Sequence, residues 1–344
     1  EDAVAEKMLL SLVFVAADVP PVALADGVHS KSFEGSGLVV HHSSDLGLVL
    51  VDRNTVPIGP MDVMLSFGAH PAEIPGRVMF LHPIHNFAVV GYDPCALTPA
   101  ARRAVRAAPL SRGPLLRRGD RVHLVGLSKM MRPVGRVSTV TNGCACVCIP
   151  SADVPRFRAV HEEVVDLDQD FGQTFSGVLA NDVGEVRAIW GSYAKQIKGD
   201  EHEFVRGLQA AVVSPWVDAL AKMRPGDPLP SLFTPVLDAE LEPSLLYKAA
   251  SFGLPPHWVS LLAAKDPERK HVLRVRNTVA ESSATGVLKE GDMVLAIAGQ
   301  PVTCFSDVER IASEHCAKTA AGGGDAGAVA GGVRVGVGGP PAEV

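Results

Sequence analysis

Apolar positions along the first two thirds of the chain come in short bursts. Stretches 8–15, 37–40, 46–51, 62–67, 77–81 and 87–91 are strand-length, rich in Val and Leu, and bounded by Gly, Pro, Asp, Asn or Ser. The habit returns after residue 113, in 121–125, 135–141, 157–159, 163–167, 178–180, 186–190 and 204–206. Two successive sets of short strands predict a pair of small antiparallel barrels. The Ala/Arg-rich segment 99–108 predicts a linking helix, which puts the division near residues 100–112. Segment 208–223 predicts a helix stopped by Pro225 and Gly226.

The pattern changes at residue 228. A proline-rich entry, 228–235, leads to a predicted strand at 236–241 and a helix at 243–252, with Gly253 at its end. Strands follow at 272–275 and 293–298, then a helix at 305–314 that Ser306 or Asp307 could cap. The expectation is a protein of mainly β class in which residues 1–227 form the two barrels and 228–317 a mixed α+β unit. Residues 318–344 are Gly/Ala-rich without an aromatic residue, a composition that predicts disorder.

Charge and hydropathy remove some partners. The 32 Lys and Arg against 38 Asp and Glu leave a net charge of −6, so there is no basic surplus to neutralise phosphates, and no nucleic-acid partner is expected. The strongest apolar run, 8–15, falls short of the ~18 residues that span a bilayer, and without a basic leader it predicts a buried strand. The chain opens on Glu1, which suggests a fragment or a processed product.

Six cysteines in 344 residues do not make a disulfide scaffold. Cys144, Cys146 and Cys148 alternate, which on a strand puts three thiols on one face. Structural zinc asks for a fourth ligand and usually CxxC spacing, so free thiols, no metal, no cofactor and an intracellular, reducing compartment are expected.

Gly35-Ser36-Gly37-Leu38-Val39-Val40, a short turn, and Gly47-Leu48-Val49-Leu50-Val51 resemble the opening of the protease domain of the HtrA/Deg family. Leu124–Leu127 with 135–141, the segment 172–179 followed by 184–189, and 204–208 resemble the family's later landmarks in the same order. The run 288–297 with Gly299-Gln300-Pro301-Val302 resembles a PDZ domain of that family. The wording of 51–56, 62–67, 73–76 and 80–90 is nearest the large eukaryotic Deg/nuclear serine protease branch, whose chains hold two protease–PDZ halves in tandem. The resemblance implies a trypsin-like double barrel followed by a PDZ domain, and it allows a nuclear or chloroplast location.

It also locates a triad. Asn54 stands where the family's strand ends on His, and Asn86 where a following strand opens on Asp. Phe175 stands at the nucleophile position, with Val178 for the next Pro and Gln173 for a Gly of the oxyanion hole. Asn can neither take up nor return a proton near neutral pH. A one-residue slip would make Ser176 the nucleophile, with His41, His42, His82 or His85 as base and Asp52 or Asp170 as orienter. For the PDZ unit the resemblance implies peptide binding along Phe233, Thr234 and Val236, with a side-chain pocket of Leu245, Leu246 and Ala249. Pro235 would remove one N–H from the carboxylate loop.

The expected function is therefore a non-catalytic protease half with a PDZ domain, which binds, assembles or regulates in protein quality control. Its partners would be unfolded segments or peptides, further copies of itself, or a catalytic half of the same chain. The rivals are an active serine endopeptidase using Ser176 and a stand-alone peptide-binding adaptor.

Overall fold

The computed structural model describes residues 3–25, 30–128, 130–150, 160–170, 176–197, 200–224, 227, 234–321 and 335–338 of the chain. The first barrel is preceded by helix α1 (Ala3–Leu9). It contains β1 (Leu12–Asp18), the short helix α2 (Pro21–Ala25), β2 (Ser32–His42), β3 (Gly47–Val51), β4 (Asp62–Phe67), β5 (Glu73–Leu81) and β6 (Ala88–Tyr92). Helix α3 (Pro99–Ala104) crosses to the second barrel. That barrel holds β7 (Arg121–Leu127), β8 (Pro133–Ile149), β9 (Val160–Leu167), β10 (Gly177–Ala180), β11 (Val186–Ile197) and β12 (Asp200–Gln209), followed by α4 (Ala210–Leu220).

Both barrels are closed and antiparallel, with the same topology. The first runs β1-β2-β3-β6-β5-β4, and the second read from β7 runs β7-β8-β9-β12-β11-β10. Closure removes the exposed edges that a six-stranded sheet would otherwise present. The period-2 alternation fills each interior. Val13, Val15, Ala17, Val49 and Val51 point into the first barrel, and Val122, Leu124, Leu179, Ala188 and Trp190 into the second. Gly47 is required by close packing, since a Cβ there would stand 2.0 Å from the Tyr92 ring.

The remaining elements are β13 (Ala239–Leu245), α5 (Leu246–Ser251), α6 (Pro256–Lys265), β14 (His271–Thr278), β15 (Met293–Ile297), β16 (Gln300–Pro301), α7 (Phe305–Ala321) and β17 (Val335–Gly338). They form a second compact unit whose sheet runs β13-β14-β15-β16, with β17 also on β15. Alternate residues of the sheet serve two cores. Leu241, Leu273, Val275 and Val294 pack with Phe305, Val308 and Ile311 of α7. Val272, Met293 and Leu295 pack with Leu246 and Ala249 of α5, Leu254 of the turn that follows, and Leu262 of α6. The described residues 146–150 and 160–163, at the ends of β8 and β9, group with this second unit.

Several expectations are corrected. The run 8–15 is not one strand: Val4, Ala5 and Met8 form the buried face of α1, and β1 begins only at Leu12. The strand expected at 236–241 lies at 239–245 and absorbs the start of the expected helix at 243–252. Pro243 is tolerated because β13 is an edge strand. Helix α6 had no counterpart in the sequence reading. The expected boundary at 227/228 falls at 231/232 by compactness. Of the tail expected to be disordered, α7 reaches Ala321 and Val335–Gly338 pairs with β15; the rest, like the expected strand at 157–159, lies outside the described residues.

Candidate functional site

Strand β3 is central in its barrel, paired with β2 and β6, so the turn that leaves it is held on both sides. Asp52 organises that turn. Its Oδ1 accepts from the Thr55 backbone N–H at 2.8 Å and the Thr55 hydroxyl at 3.1 Å, while its carbonyl accepts from Val56 N at 3.2 Å. The turn carries Arg53 and Asn54. Asn86 sits two residues before β6, whose Ala88 pairs with Val51 of β3. Its Oδ1 accepts from Arg53 N at 3.1 Å, so the two triad-equivalent segments are tied together.

The second barrel answers through Ser192 of β11. Asn54 Nδ2 donates to Ser192 Oγ at 3.1 Å, and Ser192 Oγ donates to Asp52 Oδ1 at 3.2 Å. Asn86 Nδ2 donates to the Ser192 carbonyl at 2.7 Å. Gly191 makes the approach possible, because a Cβ there would stand 2.9 Å from Asp52 Cβ. Asn54 and Asn86 are thus joined through Ser192, which the sequence reading missed. Its only sequence cue is the Gly before it; its role depends on a turn in the other barrel.

Asp52 is the charge in this cluster. It is 1% exposed. Burial pushes its carboxyl above the ordinary value, and the hydrogen bonds from Thr55 and Ser192 pull it partly back. Position 86 is an amide, and the carboxylate of the cluster lies on the β3 turn. The chain Asn54–Ser192–Asp52 is a run of hydrogen bonds that engages Asp52 Oδ1 and leaves its buried Oδ2 without a partner.

The other named residues are placed as follows. Phe175 and Gln173 lie outside the described residues. Ser176 is buried, and its hydroxyl accepts from Ser36 N–H at 2.7 Å. His42 is engaged at both nitrogens, with the Tyr92 hydroxyl at 2.7 Å and the Arg102 carbonyl at 3.1 Å. His82 Nδ1 accepts from the Ile84 and His85 N–H groups, and its ring packs on Phe80, Phe87 and Trp216. His41 is half-buried; burial, and then His42, lower its pKa. Asp170 accepts at its carbonyl from Arg136. Cys144, Cys146 and Cys148 lie on β8. No cluster of three metal-ligating side chains occurs among the described residues.

In the second unit Phe233 lies outside the described residues. Thr234 and Val236 precede β13 as irregular chain, with Val236 exposed. Leu245 ends the strand half-exposed. Leu246 and Ala249 belong to the closed core against α6, on the sheet face opposite α7. They cannot line an open pocket, which corrects that part of the expected peptide site.

Two equal barrels that meet over the turn after β3 and the segment before β6 define a trypsin-like fold. No protein-family model matches the chain. Over 311 residues it is 47% identical to "Protease Do-like 7" of Arabidopsis thaliana, covering 87% of this chain and 28% of that protein. It is 30% identical over 306 residues to "Pro-apoptotic serine protease NMA111" of Eremothecium gossypii, covering 88% of this chain and 30% of that one. The chain therefore spans less than a third of the length of these relatives. Among solved structures, the HtrA-type protease AlgW with a tripeptide superposes with a TM-score of 0.54 at 15% identity, covering 90% of this chain and 87% of that one. The same protease with a decapeptide gives 0.52 at 15% identity, covering 90% and 89%; both likenesses concern the fold. The chain belongs to the HtrA/Deg family of serine proteases. No helix among the described residues is long and apolar enough to cross a membrane.

Proposed function

We propose that this chain is a non-catalytic protease half with a PDZ-type peptide-binding unit, which serves binding, assembly or regulation in protein quality control. One observation supports the reading: Asn54 and Asn86, which the resemblance sets at the base and orienter positions, are joined by Ser192 to Asp52 through hydrogen bonds. A serine nucleophile needs a base that takes its proton and an oxyanion hole that receives the developing charge. The amide of Asn54 supplies no base, and Phe175 at the nucleophile position supplies no hydroxyl. The runner-up nucleophile, Ser176, is held as an acceptor by Ser36 N–H. The double barrel survives such losses because its two cores are independent of the triad.

The peptide-binding part rests on β13 being an edge strand with α7 packed on the same sheet face, the arrangement that accepts an added strand. The AlgW neighbours with a tripeptide and a decapeptide support that reading. The partners would be peptide or unfolded segments, with further copies or a catalytic half of the same chain beside them. A nuclear or chloroplast setting fits the relatives.

The test is hydrolysis of casein by the purified chain and by Ser176→Ala. No cleavage by either is expected. Cleavage by the wild type that disappears in Ser176→Ala would make the chain an enzyme. Titration of an apolar-ended peptide should shift the amide resonances of Ala239–Leu245.

A further inference from the structure

Within the second unit, a short piece of chain, residues 160–163, lies against the first turn of α7. Glu163 of β9 is largely buried. Its Oε1 accepts from Phe305 N–H at 2.7 Å and its Oε2 from Ser306 N–H at 3.0 Å, two of the donors that open α7. Arg269 stands 3.8 Å from Oε1. Burial pushes the Glu163 carboxyl up, and these donors with Arg269 pull it partly back. The His161 ring lies 5.7 Å from the Phe305 ring, and His161 feels the charges of Glu240 and Glu242 on β13. From β8, Cys146 and Cys148 pack on the apolar cluster of Leu241, Val308 and Ile311.

His161 and Glu163 are two apart on a strand and so share a face. That face offers a ring to Phe305 and a carboxylate to the first turn of α7, where the helix dipole favours an anion. These are the contacts of a bound ligand: side chains set against strand and helix, with an anionic anchor. A partner that used the same surface would have to make them in place of β9.

We propose that residues 160–163, backed by Cys146 and Cys148, are an internal ligand latched onto the head of α7 by Glu163. A peptide reaches this end of the β13–α7 face only by displacing it. The displacing partner is an extended peptide with a ring, any residue, then an acidic side chain. The inference rests on the peptide-binding reading above.

The test uses the full chain and a fluorescein-labelled synthetic peptide with the sequence of residues 160–167, read by fluorescence anisotropy. Glu163→Ala should bind it at least about ten-fold tighter than wild type, because charge-assisted bonds to the anchor no longer compete. Ser306→Pro, tolerated in a helix's first turn, should weaken that gain by removing one N–H. Exchange of the Phe305 and Ser306 amides should quicken at least about ten-fold in Glu163→Ala. If Glu163→Ala fails to fold, Glu163→Gln carries the same comparison. Equal binding by wild type and variant overturns the latch and leaves the peptide-binding reading standing. Binding by no variant removes that reading, and the latch with it.

Discussion

Ser192 and Asp52 come from opposite barrels and meet at 3.2 Å, with Ser192 Oγ donating to Asp52 Oδ1. The same hydroxyl accepts from Asn54 Nδ2, and the Ser192 carbonyl accepts from Asn86 Nδ2. Ser192 therefore joins Asn54 and Asn86 to the one buried carboxylate in the cluster and braces the two barrels against each other.

If the brace matters, removing the hydroxyl should cost stability. Ser192→Ala leaves Asp52 short of a donor and Asn54 short of an acceptor, which should cost about 1–3 kcal/mol. Urea unfolding measures it, and an unchanged midpoint would show that the cluster bears no stress.

Asp52 should leave a signature in the pH dependence of stability. A carboxyl whose folded pKa is raised favours folding most while protonated, below its unfolded value of about 4, and that contribution is lost as pH rises through the folded pKa. The Tm of wild type minus that of Asp52→Asn should therefore fall as pH is raised from about 4 towards neutrality. A difference that grows over that window would mean the carboxylate is stabilised by folding.

Gly191→Ala tests the close approach behind the cluster. The added Cβ meets Asp52 Cβ at 2.9 Å, and both atoms sit on backbone that cannot swing away. A loss of about 1–3 kcal/mol is expected, as for other overpacked sites. Calorimetry that shows no change would mean the two strands part easily.

Restoring one member of the triad should restore no proteolysis. Asn54→His places an imidazole beside Ser192, but on the proposed reading Asn86 and Phe175 leave the orienter and nucleophile positions unfilled. In triads the members act as a unit, and loss of one removes roughly four to six powers of ten in rate. Casein hydrolysis by Asn54→His above the wild-type background would contradict this.

Cys144, Cys146 and Cys148 should hold no tightly bound metal in the reduced protein. They share one strand, β8, at two-residue spacing and without the CxxC pattern that structural zinc usually takes. Stoichiometric zinc by elemental analysis would overturn the expectation.

The barrels were legible along the chain because strand alternation is local: Val49 and Val51, or Val122 and Leu124, declare a buried face within three residues. Asn54 and Asn86 flank such strands, one in the turn after β3 and the other just before β6. What alternation could not settle was choice among competing local states. Residues 3–9 form a helix because Val4, Ala5 and Met8 have a surface to bury, and Pro243 joins a strand because β13 has an open edge. Nor could it reveal partners distant in sequence. Ser192 meets Asp52 across 140 residues and Glu163 meets Phe305 across 142. Sequence alone determined which residues could build a barrel. Only the tertiary structure decided which polar groups would satisfy one another, because a buried donor takes whatever acceptor the packing of distant strands brings within 3 Å or so.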